Sequence, residues 1–117
     1  AAIQGITIRD DLFERYRSSE DFIQKYIFPG GFLPSLGFMK SLIKKNNLNL
    51  LKVNSYPDDY AKTLATWREN FLKVWSNIAP LGFDETFKRM WEFYLSYCEA
   101  GFKSKNIDLI QFSMSNK

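Results

Sequence analysis

Apolar and aromatic side chains recur at steps of three and four residues over positions 60–75. This spacing places them on one face of an α-helix, and a proline followed by two acidic residues is a common helix start. The pattern therefore predicts the longest helix of the chain, from Pro57 to about Pro80. We expect its aromatic face to contact the core, with the hydroxyl of Tyr60 at the rim of that core. The face consists of Tyr60, Leu64, Trp67, Phe71 and Trp75.

Four further segments have the periodicity of amphipathic helices. Two of them follow residues that commonly cap a helix N-terminus, Ser35 and Asp84, and a third follows the polar run 18–21. The helix opened by Asp84 carries a second wide aromatic face and ends near Gly101. The predicted segments are 10–17, 22–27, 36–45 and 85–102.

Three segments predict β-strands, at 2–8, 48–53 and 107–114. The first has apolar residues on both faces, as a strand covered by helices on both sides does. The last has Ile110, Phe112 and Met114 on one face. The order of strands and helices indicates an α/β fold, with a small mixed sheet of about three strands and five helices. This is typical of the second half of a doubly wound domain.

The sequence of residues 28–35 indicates a structured loop that is unusually apolar. Gly30 and Gly31 permit positive φ angles, and two prolines exclude helix. Apolar residues in a loop indicate contact with a lipid or a partner, or packing into the local core. The residues in question are Phe28, Phe32 and Leu33.

Composition and charge exclude several classes of function. The 117 residues include no histidine, which excludes Ser-His-Asp and Cys-His catalysis within the chain. Cys98 is the only cysteine, so we expect a buried, reduced thiol. The net charge of +3 comes from interleaved charges, unlike the basic face of a nucleic-acid-binding protein. No apolar run approaches the roughly 20 residues that span a bilayer, so we expect a soluble, cytoplasmic protein.

Two sets of charged residues allow a structural and a functional interpretation. Lys40, Lys44 and Lys45 fit a solvated helix face, or alternatively one that lies on anionic lipid. Glu99 lies in an apolar helix and needs a partner, which favours a structural ion pair or a polar rim over catalysis. Helix capping accounts better than acid–base chemistry for the carboxylate pairs at helix starts. These pairs are Asp10-Asp11, Asp58-Asp59 and Asp84-Glu85.

Five blocks of the sequence carry a family resemblance in combination, although each alone is a weak signal. They are QGITI at 4–8, DFIQKYIFPGGFLPS at 21–35, YAKTLATW at 60–67, RMWEFYL at 89–95 and CEAGF at 98–102. Together they resemble the C-terminal part of the cyclopropane fatty acid synthases, the group that includes the mycolic acid cyclopropane synthases. The resemblance covers nearly the whole chain in family order.

The resemblance implies a class I (Rossmann-like) methyltransferase fold. In the family, S-adenosylmethionine (SAM) supplies a methyl group to the cis double bond of a phospholipid acyl chain, and bound bicarbonate is the general base for ring closure. Tyr60 matches the tyrosine that holds the bicarbonate, and Ile6 matches a residue whose backbone carbonyl contacts it. Gln4 stands where some members carry a histidine. Glutamine can donate a hydrogen bond but cannot titrate as histidine does.

The resemblance also implies how the protein meets its lipid. The loop residues Phe28, Gly30, Gly31, Phe32 and Leu33 would line the access of the acyl chain. The partners would be phospholipid acyl chains, with the enzyme in the cytoplasm and peripheral to the inner face of the membrane. No metal is implied.

The family's glycine-rich cofactor loop and its acidic ribose partner have no counterpart here. We therefore expect residues 1–117 to be the C-terminal portion of one methyltransferase domain, to lack the cofactor site and to be inactive alone. Three alternatives remain: methylation of an acyl chain without ring closure, action on another apolar substrate, and a non-catalytic lipid- or partner-binding module. An exposed sheet edge could also be protected in a homodimer by strand exchange.

Overall fold

Three strands and five α-helices form around a small sheet in the computed structural model, which describes residues 1–117. A π-helical turn, Ile23–Ile27, and a 3₁₀ turn, Ala79–Leu81, complete the helical elements. The strands are β1 (Ala2–Ile8), β2 (Leu48–Ser55) and β3 (Ile107–Asn116). The helices are α1 (Asp10–Arg17), α2 (Leu36–Lys45), α3 (Pro57–Lys73), α4 (Trp75–Ile78) and α5 (Glu85–Lys103). No helix is long and apolar enough to cross a lipid bilayer.

The sheet has the order β1-β3-β2. The three strands of the predicted α/β fold are confirmed, but the prediction of a mixed sheet is wrong, because β3 pairs antiparallel with both neighbours. β1 and β2 run in the same direction but never touch, since β3 lies between them. A register shift between Leu50 and Lys52 marks a bulge that leaves Leu51 exposed.

The two faces of the sheet contact different layers. Ile6, Ile107 and Leu109 pack against the helical layer formed by α3 and α5. Ile110 and Phe112 lie on the opposite face and are buried, as their alternation predicted. The expectation that β1 is covered on both faces is wrong for most of its length. Only Thr7 and Ile8 are buried, and the N-terminal half of the strand is exposed because the helical layer meets β1 only from Ile6 onward.

The main core lies between α3 and α5. Leu64, Leu95 and Phe102 are almost completely buried there, and burial of each of these side chains contributes on the order of 1.5–3 kcal/mol. Cys98 is buried and free, as predicted. The cluster consists of Ala61, Leu64, Leu95, Cys98 and Phe102.

Helix α3 starts where the sequence predicted but ends earlier. Pro57 occupies its first turn, whereas Val74 leaves the helical region with φ −103° and ψ 11°, so that Trp75 begins a separate turn. The aromatic face is only partly core. Leu64 is 1% exposed but Trp67 is 49% exposed, although residues on either side of Trp67 in the stripe contact α5: Leu64 packs in the core with Leu95, and Phe71 packs against Phe87.

Local capping chemistry confirms most of the predicted helix starts. Ser35 Oγ accepts a hydrogen bond from Phe38 N at 3.1 Å, and Asp84 Oδ1 accepts one from Phe87 N at 2.8 Å. Asp10 behaves differently, because its carboxylate accepts from Gly37 N, at the start of α2, at 2.9 Å. A Cβ at position 37 would lie 2.7 Å from that carboxylate, so a larger residue there would displace the Asp10 side chain from this contact.

Candidate active site

A cavity of about 220 Å³ lies between the loop 28–33 and helices α3 and α5. Of its 15 lining residues, 12 are hydrophobic, so a polar group that opens into it loses most of its contact with water. The structure brings six of the eight predicted site residues to this cavity. They are Ile6, Phe28, Gly31, Phe32, Leu33 and Tyr60.

Tyr60 lines the cavity from the first turns of α3. Its ring packs edge-on against Phe102, with ring centroids 4.8 Å apart and planes at 83°, and against Trp67 at 5.9 Å. Burial raises the pKa of the Tyr60 hydroxyl above its ordinary value of 10.0. The hydroxyl makes no hydrogen bond within the chain. It is therefore a protonated donor, fixed by its ring and available to an acceptor in the cavity.

Two further polar side chains in the cavity come from α5. Burial raises the pKa of Tyr94 to about 12 and that of the Cys98 thiol to about 11, so both are protonated at neutral pH. The sequence interpretation assigned them to the core rather than to the site. Their i, i+4 spacing on an apolar helix face does not distinguish a cavity wall from a filled core, and only the packing of the loop against α5 does.

The loop 28–33 is held by two hydrogen bonds from upstream elements. The Tyr16 hydroxyl accepts from Leu33 N at 2.9 Å, and Gln24 Nε2 donates to the Gly31 carbonyl at 3.2 Å. Gln24 is itself fixed by a reciprocal capping box with Asp21. These hydrogen bonds fix the loop in place as one wall of the cavity.

The apolar loop residues are divided between the cavity and the surface. Phe28 and Phe32 line the cavity and are still 57% and 50% exposed, so they lie at its mouth. Gly30 does not line the cavity, but its φ of +78° makes the turn that aims this wall. A Cβ at Gly31 would lie 2.9 Å from the Phe28 carbonyl, so the turn requires both glycines.

Gln4 lies outside the cavity lining. It is on the same face of β1 as Ile6, but at the exposed end of the strand, opposite Gln111. Gln111 Nε2 donates a hydrogen bond to Gln4 Oε1 at 2.9 Å. The structure therefore joins Gln4 to a polar row at the end of the sheet and does not bring it to Tyr60.

The buried carboxylate of Glu99 lies outside the cavity and has structural partners. Glu99 is 7% exposed and forms ion pairs with Arg68 and, at 2.7 Å, with Lys103, which confirms the structural interpretation. The hydrogen bond from Lys103, together with Arg68, holds the pKa of Glu99 below its ordinary value. No three His, Cys, Asp or Glu side chains lie close enough together to bind a metal ion. Neither strand-to-helix junction, at Arg9 or Tyr56, contains the glycine-rich turn that binds a nucleotide cofactor.

Comparison with known proteins places this architecture first in a fold class and then in a family. A crystal structure of the mycolic acid cyclopropane synthase CmaA1, complexed with SAH and CTAB, superposes with a TM-score of 0.83 at 26% identity, over 97% of this chain and 42% of the other. The fold is thus that of a class I methyltransferase, as predicted. The family model of the mycolic acid cyclopropane synthetases matches residues 1–112, so the chain belongs to that family.

Two curated relatives extend the comparison. The tuberculostearic acid methyltransferase UfaA1 of Mycobacterium tuberculosis is 43% identical over 97% of this chain and 27% of its own length. The cyclopropane-fatty-acyl-phospholipid synthase of Escherichia coli is 35% identical over 82% of this chain and 25% of its own length. The chain thus spans about a quarter of the length of these relatives.

Proposed function

We propose that the chain is the acyl-binding and anion-binding portion of an enzyme that forms cyclopropane rings on phospholipid acyl chains. The observation that carries the proposal is the Tyr60 hydroxyl, a donor without a partner that opens into an apolar cavity in a member of this family. SAM would supply the transferred methyl group and bicarbonate would accept the proton that is lost when the ring closes.

The residues of the cavity suit the two demands of this chemistry. A cation that develops on an acyl chain needs surroundings without water, and the cavity has mainly apolar and aromatic walls. A small anion in such surroundings needs fixed donors, which gain strength where water is excluded. Tyr60 is the donor that the cavity provides, and its raised pKa keeps its proton in place. Ile6 lies in the same lining, and we assign its backbone carbonyl to the second contact with the anion.

The lipid enters, in this proposal, past the exposed rings of Phe28 and Phe32. These rings form the mouth of the cavity and would contact the acyl chain, together with Leu33 and the glycine turn. The partners of the enzyme are phospholipids, and it works as a peripheral protein on the inner face of the membrane. The exposure of these two apolar rings supports this orientation, since apolar side chains left on a surface mark a contact with lipid or with a partner.

The cofactor site is proposed to lie outside residues 1–117. No glycine-rich strand-to-helix turn is present in this chain, and its relatives are about four times longer. Calorimetry of the chain with SAM tests this division. No binding heat is expected, and micromolar binding would refute it.

A second candidate is methyl branching without ring closure. It is favoured by one observation, the 43% identity to a tuberculostearic acid methyltransferase, which exceeds the 35% identity to a cyclopropane synthase. Both reactions need the same apolar cavity, because both begin with methyl transfer to an unsaturated acyl chain.

Lipid analysis of cells that express the complete protein separates the candidates. Ring formation adds one CH₂ to an unsaturated acyl chain and removes its double bond, and the ring gives characteristic high-field proton signals. A methyl-branched product lacks those signals. Lipids identical to those of cells with an empty vector would contradict both candidates.

A further inference from the structure

Helix α2 leaves two large apolar side chains on the surface. Its half-buried side chains, Leu36, Met39 and Ile43, share the face that packs on β2. Phe38 and Leu42 are instead 37% and 42% exposed. Their i, i+4 spacing places them in one stripe on the outer face of the helix. Adjacent apolar side chains on an exposed face mark a contact with lipid or with another protein.

The charges on α2 are all positive. The helix contains Lys40, Lys44 and Lys45 and no acidic residue. All three lysines are exposed, and none belongs to an ion pair. The other 13 basic residues of the chain equal its 13 acidic residues in number, so these three lysines account for the whole net charge of +3. The partner that complements this helix is therefore anionic.

The carboxylates of the neighbouring helix α1 do not neutralise these lysines. Helix α1 contacts α2 and carries three carboxylates, each with a partner of its own. The pairs are Asp10 with the backbone N–H of Gly37, Asp11 with Arg9, and Glu14 with Arg17. An apolar stripe beside unpaired lysines matches a bilayer that contains anionic phospholipid, because the bilayer offers an apolar interior under a negative surface.

The stripe on α2 continues into the mouth of the cavity. Phe32, at the mouth, packs against Phe13 with ring centroids 5.7 Å apart, and Phe13 packs against Phe38 at 5.3 Å. The loop 28–33 is joined to α2 by only two residues, Pro34 and Ser35. A membrane that covers the stripe therefore also meets the mouth, and an acyl chain enters the cavity without crossing water.

We propose that the outer face of α2 docks the enzyme on a membrane of anionic phospholipid. Phe38 and Leu42 lie among the first acyl carbons, and the three lysines lie at the headgroups. The inference deepens the proposed function and rests on it for the choice of lipid as the partner. A lysine close to an anionic surface strengthens binding by about fivefold, so loss of two of them weakens it by about 25-fold.

Co-sedimentation of the complete protein with vesicles tests this surface. The vesicles consist of phosphatidylcholine alone, or of phosphatidylcholine and phosphatidylglycerol in equal parts. The double variant Lys44→Gln/Lys45→Gln should bind the anionic vesicles about 25-fold more weakly than the parent, and the neutral vesicles equally well. The matched control changes Lys62 and Lys73, which are exposed on α3, to glutamine and should bind as the parent does. Leu42→Ser should weaken binding to both kinds of vesicle.

Turnover on two forms of substrate separates docking from catalysis. On a short-chain phospholipid that is dissolved as single molecules, the double variant at Lys44 and Lys45 should match the parent. On anionic vesicles its KM should rise by about the factor lost in binding, with kcat unchanged.

The outcomes distinguish the docking surface from the proposed function. Equal binding of parent and double variant to anionic vesicles would refute the docking surface, whether α2 then faces solvent, an acidic protein or the rest of the complete enzyme. An equal loss in the control at Lys62 and Lys73 would refute it as well, because only the net charge would matter. If the parent binds anionic vesicles through α2 but modifies no lipid, the membrane contact stands and the proposed function fails.

Discussion

Removal of the Tyr60 hydroxyl is the perturbation that separates its proposed role from its role in packing. In Tyr60→Phe the ring keeps its edge-on contacts with Phe102 and Trp67, since the hydroxyl takes no part in either. The hydroxyl has no partner in the chain, so its loss breaks no internal hydrogen bond. We therefore expect the variant to fold with unchanged or slightly increased stability.

The expected catalytic effect follows from the surroundings of the hydroxyl. A hydrogen bond to a charged group contributes about 1.5–3 kcal/mol, which corresponds to a rate loss of roughly tenfold to 150-fold. The apolar lining of the cavity favours the upper part of this range, because water cannot replace the lost donor. SAM affinity should change little, since no residue of the proposed cofactor site lies in the cavity.

The assay measures product formation by the complete enzyme on vesicles of unsaturated phospholipid, with calorimetry of SAM binding beside it. The matched control is Tyr56→Phe, which removes the hydroxyl of a half-buried tyrosine outside the cavity lining. A Tyr60→Phe enzyme with turnover within twofold of the parent would refute the anion role. An enzyme that also loses SAM binding would indicate a structural role instead.

Three further predictions concern helix α5 and the loop at the mouth of the cavity. Glu99→Gln should lower the free energy of unfolding at pH 7 by about 1–3 kcal/mol in urea denaturation, because it leaves Arg68 with a neutral partner in a buried site. The folded pKa of Glu99 is lowered, so its contribution to the free energy of unfolding is complete above the ordinary pKa of 4.5 and disappears as the pH falls through the folded pKa. Parent and variant should therefore have the same stability in acid. A constant difference down to pH 2 would contradict this. Cys98, with a pKa of about 11 against an ordinary 9.0, should react with iodoacetamide at pH 8 about a hundredfold more slowly than in the unfolded chain, and equal rates would show that the thiol is open to water. Phe32→Ser should raise the KM for lipid vesicles several-fold and leave the melting temperature within a few degrees, because the ring is 50% exposed; an unchanged KM would exclude it from the lipid path.

Local chemistry made the starts of the elements predictable. Ser35 and Asp84 each open a helix through a hydrogen bond within one turn, and Pro57 opens one through its fixed φ, so the sequence displays all three signals directly. The same holds for the glycine turn of the loop, whose conformation only a residue without a Cβ adopts easily. The fold class followed from the order of these elements.

Contacts between distant residues were not predictable in the same way. Trp67 is 49% exposed although α5 contacts the stripe on both sides of it, at Leu64 and at Phe71, and the periodicity of α3 does not show which members of the stripe the partner helix covers. Tyr94 and Cys98 form a cavity wall only because the loop stops short of filling the space. The antiparallel insertion of β3 between two strands that run in the same direction is likewise a matter of topology rather than of pattern.

In the candidate site, too, some residues were predictable from the sequence, whereas contacts between distant residues were not. The family blocks named Tyr60 and Ile6, and the structure brings both to one cavity, while their catalytic roles stay a prediction. The blocks also named Gln4, but its contact with Gln111 joins residues 107 positions apart and appears only in the paired strands.

The central claim is that the complete enzyme builds a ring from the methyl group of SAM and the double bond of an acyl chain. Its most direct test supplies SAM with a trideuterated methyl group and vesicles of a cis-unsaturated phospholipid, and analyses the product by mass spectrometry and NMR. The account predicts a cyclopropane that retains two of the three deuterium atoms, because the third leaves as the ring closes. A methyl-branched product without ring signals, or lipid that carries no deuterium, would contradict it.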